Sequence, residues 1–207
     1  MKVAFAIKSC HKHADRRAAQ FATWIPQLHE DFFYLIGDPA PAECDFLYCH
    51  GASDAFADIA PKVLCAVEYA LDDKVTNLCI LDDDTYMVPS RMMDSGFEDF
   101  DYFGFVRNYG DFPYMQGSCY WLSEHAMRAI VANKHLMVPG VPDDVAVGQC
   151  LYSNVPFTHE HRFAVGDTEP GPTRRPLPSN SIISCHKCHP LFMGAVHEPF
   201  RNTTAVV

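Results

Sequence analysis

The chain has 207 residues, 48% apolar and 20% charged, with 16 Lys plus Arg against 26 Asp plus Glu for a formal charge of −10. This length and balance predict one domain spanning residues 1–207 with its own core, and exclude a disordered polymer. The acidic excess disfavours non-specific attachment to nucleic acid or an anionic membrane, and no apolar stretch approaches a bilayer span.

In chain order, the opening MKVAFAIKSCHKH lacks the apolar core and cleavage site of a secretory signal, so the expected location is cytoplasmic. Lys2 to Ile7 predicts a short buried strand, and Ala14 to Leu28 an amphipathic helix with Asp15 near its N-terminus. Phe32 to Ile36 and Phe46 to Cys49 predict further strands, followed by a helix over Phe56 to Leu71. Leu78 to Leu81 is a strand that ends abruptly in Asp82, Asp83 and Asp84. Beyond it come a strand at Asp101 to Val106, a Gly-containing loop through Tyr114 to Cys119, and a helix from Ser123 to Ala132 with Ser123 as N-cap. A helix over Asp143 to Tyr152 follows Pro142, and Thr168 to Asn180, rich in Pro, Gly and Arg, is expected as a mobile loop. Alternating strands and helices imply a mostly parallel sheet covered on both faces, with ligands at the carboxyl ends of the strands. Nine cysteines, several inside apolar runs (Cys49, Cys65, Cys79, Cys119, Cys150), predict reduced thiols that pack as small hydrophobes.

Three adjacent carboxylates repel one another and call for a compensating cation; the plainer reading is a solvated Asp-rich turn. Asp82 and Asp84 have D-x-D spacing, which on an extended chain turns both to one side, where they could grip a divalent ion. His186, delivered by an expected strand over Ile182 to Cys185, is the candidate third ligand, with His161 in THEHRF as second choice. An imidazole ligand shifts preference toward manganese, with magnesium as the alternative. Asp143 and Asp144 open a helix, either as complement to its dipole or with one acting as general base. Gly117 in QGSCYWLS offers a close approach to a bound sugar or a plain turn. Lys8, Ser9 and Arg16 stand where the first strand meets the first helix, a natural place for a nucleotide, while Arg16 and Arg17 also fit an exposed helix face.

These blocks, in this order, resemble the fringe and core 1 β-1,3-galactosyltransferase family. IKSCHKHADRRAAQFATW is similar to that family's opening, PKVLCAVEYA to its helix before the DxD segment, LDDDTYM to the DxD segment itself, QGSCYWLS to its glycine-rich loop and PDDVAVGQCL to its PDD or EDV motif. The resemblance implies a single GT-A (Rossmann-like) α/β domain that transfers a sugar from a UDP-sugar donor to a hydroxyl, with manganese and inversion of the anomeric centre. By the same resemblance Asp84 is the main metal carboxylate, and Asp82 and Asp83 serve the metal or the donor. Asp144 is then the catalytic base, and Lys8, Ser9 and Arg16 contact the nucleotide. ISCH resembles the core 1 metal histidine and HEH a fringe version. QGSC departs from the family's paired glycines, and the family's membrane anchor is missing, which implies a cytosolic bacterial or viral relative.

Three rivals compete. A haloacid-dehalogenase-like phosphatase also places Asp-x-Asp at a strand end, but Tyr86 stands where that family has Thr or Val. A zinc-binding interaction module would use Cys185, His186, Cys188 and His189, completed by Cys10 and His13. A sugar-nucleotide binder without catalysis would have no use for Asp144. The acceptor stays open among glycan, protein, lipid-linked sugar and hydroxylated nucleobase, the last disfavoured by net charge.

Overall fold

A computed structural model of the protein describes residues 1–39, 46–110, 112–164 and 182–200. The Pro/Gly/Arg-rich segment Thr168 to Asn180 lies outside these residues. In chain order the elements are β1 (Val3–Lys8), α1 (Ala14–Phe21), β2 (Asp31–Asp38), β3 (Phe46–Ser53), α2 (Ile59–Asp72), β4 (Asn77–Asp82), β5 (Tyr86–Met87) and α3 (Pro89–Met93). They continue as β6 (Tyr102–Tyr109), β7 (Phe112–Ser123), α4 (Glu124–Ala132), α5 (Asp143–Leu151), β8 (Phe157–His159), β9 (Phe163–Ala164), β10 (Ser184–Cys185) and α6 (Pro190–His197).

Seven strands form the central sheet in the order β3-β2-β1-β4-β7-β6-β8. Strands β3, β2, β1 and β4 run parallel, β7 is antiparallel to both β4 and β6, and β8 is parallel to β6. The mostly parallel sheet expected from the alternating pattern is thus present. VAFAIK in β1 is buried at every position, as a strand covered on both faces requires. Side chains of β4 alternate between two cores: Leu78 and Ile80 join Val63, Val67, Tyr102, Tyr120 and Met127, while Cys79 and Leu81 join Phe5, Trp24, Trp121 and Met193. The first core is roofed by α2, α4 and α5, the second by α1, α3 and α6. Small side chains Ala60, Ala66 and Ala70 line the buried side of α2. In the second core Phe97 stacks on Trp121 with ring centroids 3.8 Å apart.

Two expectations are corrected here. The first helix ends at Phe21 rather than Leu28, and Ile25–Gln27 forms a separate turn of 3-10 helix. Pro26 supplies no N–H for a continuing helix and disfavours helical backbone at the residue before it, while buried Trp24 draws the chain into the core. The loop expected over Tyr114 to Cys119 is the middle of the long strand β7. Of the two readings of Gly117, the turn is not found: the residue lies within the strand, where a Cβ would press on Lys8 and Asp144. Ser123 does cap α4, its hydroxyl accepting from Ala126 N at 3.1 Å. No helix among the described residues is long and apolar enough to cross a membrane, and their cysteines are free thiols.

Candidate active site

Strands β1 and β4 are hydrogen-bonded in parallel register with Lys8 beside Asp82, so both chain ends reach the same rim of the sheet. The turn after β4 is pinned from several sides. Asp83 N donates to Lys8 O at 3.1 Å, Thr85 Oγ1 to Ser118 O at 2.9 Å, and Gln20 Nε2 to Thr85 O at 3.3 Å.

His186 reaches this turn through a three-stranded sheet, β5-β10-β9, in which Cys185 pairs with Tyr86 and Ser184 with Met87. Cys188 N then donates to Asp84 O at 2.7 Å. Between them Lys187 adopts a left-handed backbone, φ 56°, a conformation that costs a non-glycine residue about 1–3 kcal/mol and persists only where its surroundings enforce it.

Asp82 Oδ2 and Asp84 Oδ1 each lie 3.3 Å from His186 Nε2. Asp82, Asp84 and His186 form the one group of potential metal-ligating side chains among the described residues, its atoms all within 4.8 Å of one another. Burial works against a charge on His186, yet the two carboxylates hold its pKa up at about 9. Burial also opposes ionisation of Asp82, but Lys8 and His186 overcome it and bring its pKa to about 2. Apart from its ion pair with His186 Nε2, buried Asp84 Oδ1 accepts no hydrogen bond, and His186 Nδ1 is buried without one; a buried carboxylate oxygen so thinly satisfied fits a ligand to a cation.

Asp83 points the other way. Its carboxylate accepts from Ser9 Oγ at 2.7 Å and Arg16 Nη1 at 2.8 Å and meets His13 Nδ1 at 2.8 Å. It therefore ties the turn to the start of α1. Arg16 Nη1 also comes within 3.4 Å of Asp84 Oδ2, while its side chain remains about a third exposed at the rim.

Lys8 holds the other half of the site together. Its ammonium, nearly inaccessible, reaches Asp143 Oδ2 at 2.7 Å, Gly117 O at 2.7 Å and Asp82 Oδ1 at 3.0 Å. An ammonium has three donors, so these partners saturate it. Burial opposes its charge, but Asp143 and Asp82 raise its pKa and keep it protonated. One cation cannot fully compensate all its carboxylates, and burial together with Asp144 and Asp82 pushes Asp143 up to about 6 despite Lys8.

Asp144, half-buried, accepts from Gly117 N at 3.0 Å and from Val145 N at 2.8 Å. Gly117 matters because a Cβ there would lie 3.1 Å from Lys8 Nζ and 3.2 Å from Asp144 Oδ2. One turn along α5, Gly148 repeats the device: its Cβ would meet Tyr114 Cβ at 2.6 Å. Paired glycines therefore let α5 lie directly against β7 and carry Asp144 to the rim.

Every site residue singled out from sequence except His161 thus gathers at one rim: Lys8, Ser9, Arg16, Asp82, Asp83, Asp84, Gly117, Asp144 and His186. His161 is exposed and pairs with Glu160 at 3.5 Å, apart from the carboxylate group. Lys8 and Asp83, expected at the donor, are engaged in internal ion pairs. No Cys and His set gathers at ligand distance among the described residues, so the zinc reading finds no support there. Sequence reasoning missed Lys62, a buried lysine donating to Ser9 O at 2.9 Å, and the part played by His13. His13 was legible in KSCHKH, but nothing local distinguished Lys62 from an ordinary helix-surface lysine.

No protein-family model and no curated protein sequence matches the chain. Solved structures do, and they define the fold as GT-A. The chain is similar to a glycosyltransferase involved in the glycosylation of the major capsid of PBCV-1, at 11% identity over 95% of this chain and 100% of that one, TM-score 0.58. It is also similar to the galactosyltransferase LgtC in complex with donor and acceptor sugar analogs, at 11% identity, 90% and 87% coverage and TM-score 0.53. A third neighbour, the glycosyltransferase GlyE of Streptococcus pneumoniae TIGR4, is 9% identical with TM-score 0.50, and the match covers 79% of this chain and 46% of that one.

Proposed function

We propose that the protein is a metal-dependent glycosyltransferase that moves a sugar from a nucleoside diphosphate sugar, UDP-linked, to a hydroxyl with inversion. One observation carries the reading: Asp82, Asp84 and His186 converge at the carboxyl rim of a GT-A sheet, their ligand atoms within 4.8 Å of one another. Five carboxylates (Asp82, Asp83, Asp84, Asp143, Asp144) face two permanent cations, Lys8 and Arg16, so a divalent ion fits the charge of the site. Two carboxylates and an imidazole suit manganese, with magnesium second. Bound there, it would neutralise the charge gathering on a departing diphosphate.

The protein's own groups do the rest. Arg16, partly exposed beside Asp84, is the residue to meet a diphosphate oxygen, and Ser9 fixes the turn through Asp83. Asp144 takes the proton of the attacking hydroxyl; Gly117 N and Val145 N hold its carboxylate in place while it does so. A single displacement assisted by one base inverts the anomeric centre. The named neighbours, all glycosyltransferases, lend no support to a haloacid-dehalogenase-like phosphatase.

Calorimetry with UDP, GDP and CDP, with and without manganese, tests the donor half. Uridine-selective, manganese-dependent binding that is lost in Asp84→Ala is expected; equal binding without metal refutes it. Asp144→Asn should keep nucleotide affinity and lower kcat by roughly 10²–10⁴-fold, and wild-type turnover would remove Asp144 from the mechanism.

A further inference from the structure

Opposite Leu81, the last apolar residue of β4, stands Cys119, yet β7 begins seven residues earlier at Phe112. That half of β7 extends about 15 Å past the rim, taken at strand rise from the five-residue step along β6 from Gly104, opposite Tyr120, to Tyr109, because a register shift between Gly104 and Val106 bulges β7. It does so as a hairpin with β6, in which Tyr109 pairs with Phe112 and Arg107 with Tyr114.

This hairpin is rich in rings and poor in charge. Phe112, Pro113, Tyr114 and Gln116 are half-exposed while Met115 and Gly117 are buried, so this part of the strand stays half-open. Tyr109 is 59% exposed and Tyr152, at the end of α5, 53%. Their rings flank Phe112 at centroid distances of 5.9 Å and 6.1 Å. Polar groups are interleaved: Arg107 Nε donates to Gln116 Oε1 at 3.3 Å, and the Arg107 guanidinium lies 5.0 Å from the Phe105 ring centre. Tyr114 feels both Asp144 and Arg107: burial and then the Asp144 charge raise its pKa while Arg107 opposes them. Along α5, eight residues separate Asp144 from Tyr152, about 12 Å at helical rise. The rings therefore lead away from Asp144 over more than the width of one sugar.

We infer that Tyr109, Phe112, Tyr114 and Tyr152, with Arg107 and Gln116 at their edges, form a platform for a neutral oligosaccharide whose terminal hydroxyl is delivered to Asp144. This rests on the glycosyl-transfer reading and names its acceptor class. A pyranose offers apolar C–H faces that lie on aromatic rings, and hydroxyls around its edge that Gln116, Arg107 and tyrosyl hydroxyls can meet. A lipid chain would need a continuous apolar surface, and this strip is broken by polar side chains. Nucleic acid would need several cations along its backbone, whereas residues 105–116 contain one, Arg107, against Asp111.

The test is binding of the wild-type chain, without donor, to an array of immobilised neutral glycans, repeated with Tyr109→Ser/Tyr152→Ser. Both residues are more than half exposed, so the double variant should unfold at the wild-type temperature. Expected are selective binding of di- and trisaccharides over monosaccharides, and weakening by about tenfold in the variant, the sum of two lost ring contacts. Manganese-dependent UDP binding should be identical in both proteins. No glycan bound, no change in the variant, or preference for a single-stranded oligonucleotide on the same residues each overturns the platform. Loss of UDP binding in the wild type with glycan binding intact would instead sink the donor reading, so the two failures are separable.

Discussion

The rim around Asp82 to Asp84 and the hairpin that rises beside it solve opposite problems. At the rim each charged group is held by another: Asp83 by Ser9, His13 and Arg16, and Lys8 by Asp143, Gly117 and Asp82. Beside the hairpin's Phe112, the large rings of Tyr109 and Tyr152 stand more than half in solvent, each set against the Phe112 ring. Fixed geometry is what charge stabilisation requires, because donors and carboxylates must be oriented before charge develops. An open aromatic strip asks only for contact area. Stability should therefore be concentrated at the rim and nearly indifferent to the hairpin.

Four measurements break or sharpen that contrast. Lys8→Met leaves Asp143 and Asp82 without their shared cation; loss of one partner of a buried pair costs about 3–5 kcal/mol, readable by urea unfolding. A loss below about 1 kcal/mol would mean that the lysine is not a keystone. Gly148→Ala drives a methyl into Tyr114 Cβ, and overpacking of this kind costs about 1–3 kcal/mol. The same change should lower kcat, because α5 can no longer seat Asp144 against Gly117.

The third is a pH effect in metal-free protein. His186 is held at about 9 against its ordinary 6.5. A raised pKa means that the folded state binds the proton more tightly, so its stabilisation is complete below pH 6.5 and lost as pH rises through 9. Unfolding free energy should fall across that window, and less steeply in His186→Asn; an equal slope in both proteins would reject the ion pair. The smallest effect belongs to the hairpin: Tyr109→Ser should change stability by no more than about 0.5 kcal/mol.

Much of this architecture was legible because the determinants are local. The apolar run of β1, the helical spacing of α2, the Ser123 cap and the Pro142-Asp143-Asp144 helix start all lie within a few residues of the elements they specify. Asp82 and Asp84 do approach one imidazole, that of His186, but β4 ends at Asp82 and the chain turns there, with Thr85 N donating to Asp82 O at 3.1 Å, so the turn rather than the alternation of an extended strand brings them together. What stayed hidden depends on distant partners. Gly117 reads equally as a turn or a close approach until α5 is known to press on it, and Gly148 carries no signal without Tyr114 opposite. Lys8 suggested a nucleotide contact because nothing in its neighbourhood reveals that Asp143 will occupy its ammonium. His186 and His161 were both candidates, and only the pairing of β10 with β5 separates them.

That pairing also sets a timetable. The group of Asp82, Asp84 and His186 takes two members from the middle of the chain and its third from near the end of the described residues, brought in by a strand only two residues long. A nascent chain could complete the central sheet, whose last strand in chain order is β8, before Cys185 has been made, leaving Asp82 and Asp84 without their imidazole partner. The trio would then assemble only after the sheet that carries its carboxylates, when Cys185 finds Tyr86.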